Sequence, residues 1–286
     1  MKKILVTGAN GQLGQELREL SKQQTDSFVF VDIDQLDITE QQGVQQLFQE
    51  EGFDYCVNCA AYTAVDKAES DQALAEKVNV LGVKVLAETC QQFGAKLIHI
   101  STDFVFDGKS FLPYKEEDKT KPISVYGLTK LQGEQQALKA NPKTVVLRTS
   151  WLYSSFGNNF VKTMLRLGSE REELGIIVDQ IGTPTYAGDL AKVVVEIIRQ
   201  DKELFGVYHF SNEGVASWYD FALAILEGAE VKVNPIPTVA YPTPAARPHY
   251  SVLDKTKIKE AFDIEIPYWR TSLKTCLELL SVHNIQ

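Results

Sequence analysis

The sequence predicts an α/β fold built on a doubly wound parallel sheet. Three observations carry this. Short apolar runs alternate with segments of helical periodicity over the first 150 residues. A turn with glycines spaced three apart follows the first apolar run. After residue 150 the alternation gives way to a stretch rich in aromatic residues and proline. With 286 residues, 44% hydrophobic and 23% charged, the chain is long enough for two fused lobes sharing a cleft, and its composition is that of a globular protein rather than a disordered, fibrous or membrane one.

Residues 3–6 form the first strand, and 12–21 repeat apolar residues at helical spacing. Residues 28–31, 55–59, 96–100 and 144–147 read as further strands, with helices over 40–50, 72–93 and about 125–140. A helix between successive strands requires parallel pairing, with helices covering both faces. Beyond residue 150, Trp151, Tyr153, Trp218, Tyr219 and Tyr241 and five prolines between Pro235 and Pro248 mark a smaller, less regular lobe. Within it, 190–198 reads as a helix and 207–210 as a strand able to rejoin the main sheet.

Several function classes are excluded. A formal net charge of −9 and a pI near 5.1 leave no basic stripe for nucleic acid. The apolar run after Met1-Lys2-Lys3 is too short for a signal-peptide core or a membrane span, so no membrane partner is expected and the cytoplasm is. Cys56 and Cys59 sit in a strand-like run, where an offset of three sends side chains to opposite faces, so core packing is expected rather than redox chemistry. The four histidines are scattered, and no metal site is visible.

The turn Thr7-Gly8-Ala9-Asn10-Gly11-Gln12-Leu13-Gly14 carries a dinucleotide signature. Gly8 permits a tight turn, Gly11 lets backbone approach a pyrophosphate, and Gly14 lets the helix pack closely on the sheet. The helix start, with Gln12 and Leu13, supplies oriented N–H groups. The fold is therefore expected to be of the Rossmann type, with residues 1–150 as the dinucleotide-binding domain and 151–286 mainly as a C-terminal substrate-binding lobe. Asp32, after the second strand, can accept hydrogen bonds from an adenosine ribose and would repel a 2′-phosphate. That favours NADH, while an outward turn of Asp32 would admit NADPH. Asp37 and Ile38 are candidates to flank the adenine. Ala61, Tyr62 and Thr63 after the third strand, and Ile100 in the fourth, are candidates to line the cofactor's path.

Tyr126 and Lys130 stand at i and i+4 at the start of a helix, hence on one face. A tyrosine, with its usual pKa near 10, is a poor acid at neutral pH, and a neighbouring ammonium favours the phenolate. The fourth strand runs into Ser101-Thr102-Asp103, putting hydroxyls at the carboxyl end of the sheet, where Thr102 can polarise a carbonyl beside Tyr126.

With these pieces in place the chain resembles the extended short-chain dehydrogenase/reductase family. The likeness runs over nearly the whole length. It rests on the glycine turn and on Asn58-Cys-Ala-Ala-Tyr-Thr-Ala-Val-Asp-Lys-Ala-Glu69, Ser101-Thr-Asp-Phe-Val-Phe-Asp-Gly108, Val125-Tyr-Gly-Leu-Thr-Lys130, Arg148-Thr-Ser-Trp-Leu-Tyr153 and Tyr241-Pro-Thr-Pro-Ala-Ala-Arg-Pro248. The resemblance implies an NAD(P)H-dependent reduction of the C4 ketone of a dTDP-linked deoxysugar, dTDP-4-dehydro-L-rhamnose, giving dTDP-L-rhamnose. It implies Thr102, Tyr126 and Lys130 as the catalytic residues, Thr102, Asp103 and Trp151 against the sugar, and Arg247 on the diphosphate. Another nucleotide-sugar reductase or epimerase, or a non-catalytic nucleotide-binding regulatory subunit, would share much of this pattern. Some members of the family dimerise around a magnesium ion held by carboxylates. Glu16 matches one such position, but the other aligns with Gly188, beside Asp189. A homodimer is thus open, and a metal is not expected.

Overall fold

The computed structural model describes residues 1–283; residues 284–286, the end of the expected C-terminal lobe, lie outside the described residues. The first strands are β1 (Lys3–Thr7), β2 (Ser27–Val31), β3 (Tyr55–Asn58), β4 (Lys96–Thr102) and β5 (Thr144–Thr149). After them come β6 (Leu152–Tyr153), β7 (Glu173–Ile177), β8 (Ile181–Gly182), β9 (Thr185–Tyr186), β10 (Gly206–His209), β11 (Ala216–Ser217) and β12 (Lys232–Ile236). Six strands form one parallel sheet in the order β10-β5-β4-β3-β1-β2. The chain leaves β1 for β2 on one side and returns to β3 on the other, so the switch point lies beside β1. In such sheets the crevice beyond the carboxyl ends at that point holds the ligand.

The helices are α1 (Gln12–Ser21), α2 (Gln41–Glu51), α3 (Val65–Ala68), α4 (Gln72–Glu76), α5 (Val83–Phe93), α6 (Val125–Ala140), α7 (Phe160–Glu170), α8 (Ala187–Gln200), α9 (Trp218–Ile225), α10 (Thr256–Phe262) and α11 (Trp269–His283). Ile4, Val6, Val57 and Ile98 face Leu17 of α1 and Leu190 and Val194 of α8. Leu5, Cys56 and Leu97 face the opposite layer, with Phe48 of α2, Leu86 of α5 and Ala137 of α6. Alternate side chains of each strand thus enter two separate cores, which is why the strands read as unbroken apolar runs. Cys56 and Cys59 fall on opposite faces as their spacing requires, and both are free thiols. A third core gathers Tyr153, Met164, Leu174, Phe221 and Trp269, with β7 and β12 paired in parallel beside it.

One expected element is divided. Residues 72–93 are α4, a π-turn over Lys77–Gly82, and α5. The wide turn seats the buried Asn79, whose side chain accepts from Tyr62 N–H at 2.9 Å and donates to Tyr62 C=O at 3.1 Å and to the Thr129 hydroxyl at 3.2 Å. Such turns recur near functional sites.

The start of α6 is fixed by two contacts. Ser124 caps it, its hydroxyl accepting from Gly127 N–H at 3.1 Å. A Cβ at Gly127 would lie 2.2 Å from the Phe104 carbonyl oxygen, so only glycine lets the helix rest on the short turn Asp103–Val105 that follows β4. That contact brings Tyr126 beside Thr102.

Candidate active site

At the end of β1, Gly8 has φ +64°, and a Cβ there would lie 2.6 Å from Ala60 N. A Cβ at Gly14 would lie 2.5 Å from the Gly8 carbonyl oxygen. Gly11 is the N-cap of α1 and makes no side-chain cap hydrogen bond. The first turn of α1 therefore offers its N–H groups to the cavity above, a cradle of the shape and polarity a pyrophosphate needs. Beneath it, Asn58 Oδ1 accepts from the Thr7 hydroxyl at 2.7 Å and from Ala60 N–H at 3.1 Å, while its amide nitrogen lies 3.1 Å from His99 Nδ1. Burial, helped by the Lys130 cation, pushes the His99 imidazolium pKa well below its usual range and keeps the ring neutral.

Asp32 uses both carboxylate oxygens on backbone, accepting from Asn10 N–H at 2.7 Å and Ile33 N–H at 2.8 Å. It therefore faces the turn instead of swinging outward. The cations among the described residues lining this cavity are Lys130 and Arg247, neither of them in the turn that bears Asp32.

The cavity has a volume of about 750 Å³. It brings together every residue expected to serve the cofactor, the substrate or the chemistry: Gly8, Gly11, Gln12, Leu13, Gly14, Asp32, Asp37, Ile38, Ala61, Tyr62, Thr63, Ile100, Thr102, Asp103, Tyr126, Lys130, Trp151 and Arg247. Lys130 donates to the Ile100 carbonyl at 2.6 Å. Burial lowers its ammonium pKa to about 8, while Glu134, one helical turn on, opposes the fall. Tyr126 packs edge-on against Phe104 at 5.5 Å, and burial raises its phenol to about 12, with Thr102 pulling down and Asp103 pushing up. The ammonium expected to favour the phenolate is here turned to strand backbone, so desolvation prevails at Tyr126. Thr102 Oγ1 donates to Asp103 Oδ1 at 3.0 Å and accepts from Phe104 N–H at 3.2 Å.

Sequence reasoning missed what braces this corner. Glu134, on the helix face of Tyr126 and Lys130, accepts from Ser101 and forms a buried pair with Arg148, Nε and the terminal nitrogen approaching at 2.9 and 2.8 Å. The spacing of four beyond Lys130 was the available signal.

Trp151 occupies the left-handed region at φ +47°, a costly conformation for a large residue. Its indole stacks on Trp218 with centroids 3.7 Å apart and planes 9° from parallel. Trp151, Trp218, Phe104 and Arg247 line both the first cavity and a second of about 720 Å³ in the C-terminal lobe. Arg247 is held by Asp66 through two contacts, 2.9 and 2.8 Å, which also keeps the Asp66 carboxyl below its usual range. In the sequence Trp218 marked only the second lobe and Asp66 was only part of the Asn58–Glu69 string, and neither was assigned to the site.

Glu16 is buried and accepts from the Ser154 hydroxyl at 2.6 Å; burial raises its carboxyl pKa. A Cβ at Gly188 would lie 2.5 Å from the Tyr186 ring, so a side chain there would have to displace that ring. No group of three or more His, Cys, Asp or Glu side chains suited to a metal ion occurs among the described residues.

A doubly wound parallel sheet with a glycine cradle at its switch point, and a threonine, tyrosine and lysine in the same cleft, defines a nicotinamide-dependent reductase of the short-chain type. More narrowly, residues 1–282 match the family described as the RmlD substrate binding domain, and the chain belongs to that family. The dTDP-4-dehydrorhamnose reductase of Aggregatibacter actinomycetemcomitans is 44% identical, over 96% of this chain and 98% of that protein. A crystal structure of a dTDP-4-dehydrorhamnose reductase from Clostridium acetobutylicum superposes with a TM-score of 0.94 at 44% identity, covering 98% of this chain and 99% of the other. A Bacillus anthracis dTDP-4-dehydrorhamnose reductase in complex with NADP gives 0.93 at 41%, covering 96% and 98%.

Proposed function

We propose that this protein reduces the C4 ketone of dTDP-4-dehydro-L-rhamnose to give dTDP-L-rhamnose, using NADH or NADPH. The observation that carries the proposal is the gathering of Thr102, Tyr126 and Lys130 in the cavity that also holds the glycine cradle, in a chain 44% identical to a reductase of that substrate.

The backbone of Gly8, Gly11, Gln12, Leu13 and Gly14 holds the cofactor's pyrophosphate, and Asp32 takes the adenosine ribose. Asp37 and Ile38 flank the adenine, while Ala61, Tyr62, Thr63 and Ile100 line the path to the reacting end. The reduced nicotinamide, when bound, supplies hydride to C4. Tyr126 gives its phenolic proton to the oxygen that becomes the C4 hydroxyl, and Thr102 donates a hydrogen bond to the same oxygen. Lys130 holds the nicotinamide ribose and, drawn from the Ile100 carbonyl toward Tyr126, makes the phenol a better acid. Trp151 and Asp103 meet the sugar. Arg247 meets the diphosphate, a role for which a guanidinium is well shaped once its hold on Asp66 is shared.

Asp32 favours NADH over NADPH, since its carboxylate is fixed toward the turn and no arginine offsets it. The net charge of −9 supports a small-molecule partner over nucleic acid. No helix among the described residues is long and apolar enough to cross a membrane. Four free cysteines, three of them buried, support a reducing compartment, the cytoplasm.

The test follows the absorbance of NADH and of NADPH, in parallel, with purified protein and freshly generated dTDP-4-dehydro-L-rhamnose. Oxidation matched by dTDP-L-rhamnose is expected, faster with NADH at low concentration. An epimerase would show turnover without net cofactor consumption. Cofactor binding with no oxidation would overturn the proposal.

A further inference from the structure

Asp103 carries an inference that rests on the reading above. Its carboxyl is 1% exposed at the end of β4, between Thr102 on its own strand, Ser251 of the C-terminal segment and Tyr126 of α6. Oδ1 accepts from Thr102, but Oδ2 is buried without a hydrogen-bond partner among the described residues. The charged side chains lining the same cavity are Asp32, Asp37, Lys130 and Arg247. The two cations are engaged elsewhere, Lys130 with the Ile100 carbonyl and Arg247 with Asp66, and Glu134 behind Ser101 is bound by Arg148. A carboxylate at Asp103 would thus be a buried anion held by neutral donors with no cation beside it, a costly arrangement.

A threonine hydroxyl has one proton to give. Thr102 Oγ1 already accepts from Phe104 N–H and points its proton at Asp103 Oδ1. While Asp103 is ionised it is the strongest acceptor within reach, so that proton is turned away from the substrate oxygen. When Asp103 is protonated, Oδ1 becomes either a carbonyl oxygen, a weaker acceptor, or a hydroxyl that donates to Thr102. In both cases the Thr102 proton is freed for the developing C4 alkoxide.

We propose that Asp103 is a positioning residue that sets the direction of the Thr102 hydroxyl, and that the enzyme turns over with this carboxyl protonated. Burial is the larger influence on it, raising its pKa to about 6 against the Ser251 and Thr102 hydroxyls and the backbone N–H groups of Asp103 and Phe104. The sign follows: the protonated form dominates below about pH 6 and falls tenfold per pH unit above it.

The deciding experiment is the pH profile of kcat/KM for the wild type, Asp103→Asn and Ser251→Ala, with NADH affinity measured at each pH as a check on folding. The wild type is expected to lose kcat/KM tenfold per pH unit above an apparent pKa near 6. Asp103→Asn, whose amide donates to Thr102 at every pH, loses that limb and overtakes the wild type at the alkaline end. Ser251→Ala, lacking a donor that stabilises the carboxylate, moves the limb to higher pH. A limb that survives in Asp103→Asn, a folded Asp103→Asn inactive at every pH, or a limb unmoved in Ser251→Ala overturns the proposal. Should Asp103→Asn fail to fold, the Ser251→Ala shift decides. Infrared difference spectra of the ligand-free protein provide a readout independent of turnover: a carboxylic-acid C=O band titrating near pH 6 is expected, and its absence overturns the proposal. A wild type that oxidises no cofactor at any pH would overturn the assigned reaction, and the infrared band would still decide the state of Asp103.

Discussion

Tyr126 holds its proton more tightly than a free phenol, because packing around the ring disfavours the phenolate and Asp103 adds to that. A group that binds its proton so firmly donates only to an oxygen becoming strongly basic, as a ketone does when hydride reaches its carbon. Tyr126→Phe is therefore expected to lower kcat by roughly 10²–10⁴-fold while NADH affinity, measured by fluorescence, changes by only a few fold. Undiminished kcat would remove Tyr126 from the chemistry. Tyr126 and Lys130 were legible because one helical turn joins them, so their meeting is a local fact. Asp66 and Arg247 are 181 positions apart, and only the tertiary fold places them in contact. Trp218 was hidden for the same reason: as an isolated aromatic residue it looks like core until Trp151 is found against its face.

Among the elements, the strands of the main sheet were legible because both faces are buried, and their observed limits differ from the periodic reading by at most two residues. The paired strands β7 and β12 were not, since each leaves residues exposed and finds its partner across the whole of α8 and α9. The π-turn packs against a neighbouring helix that local periodicity does not report: a Cβ at Gly133 of α6 would come within 2.2 Å of the Asn79 carbonyl oxygen. Gly133→Ala must push α6 away from that turn, and overpacking of this kind costs about 1–3 kcal/mol. Urea unfolding is expected to show that loss. NADH affinity should fall with it, because Asn79 fixes the backbone of Tyr62 at the edge of the cavity. Unchanged stability would mean the two helices are less closely seated than they stand here.

For the molecule as a whole, the balance of buried titratable groups sets its response to acid. His99 and His209 are fully buried and neutral, burial being the larger cause in each, and His209 is lowered to about 3. Unfolded histidine takes up a proton near pH 6.5, which the folded protein refuses, so stability falls as pH drops below that value, by about 1.4 kcal/mol per pH unit for each ring. Asp103 and Glu16 act the other way: the fold raises both, so it gains stability as they bind protons before their unfolded counterparts do, Asp103 from about pH 6 downward. The net expectation is a loss on the order of 2 kcal/mol between about pH 6.5 and about pH 5, read from urea midpoints. An equal or greater stability at the lower pH would contradict this account. None of that balance was visible in the sequence, where four scattered histidines and a net charge of −9 say nothing of which groups are enclosed. The indoles of Trp151 and Trp218, 3.7 Å apart where the two cavities meet, have a consequence for observing the protein at work. Chromophores that close couple their electronic transitions, so the pair gives the protein a circular-dichroism signal of its own at the junction of the two cavities, and a ligand entering either is expected to change that signal without any added label.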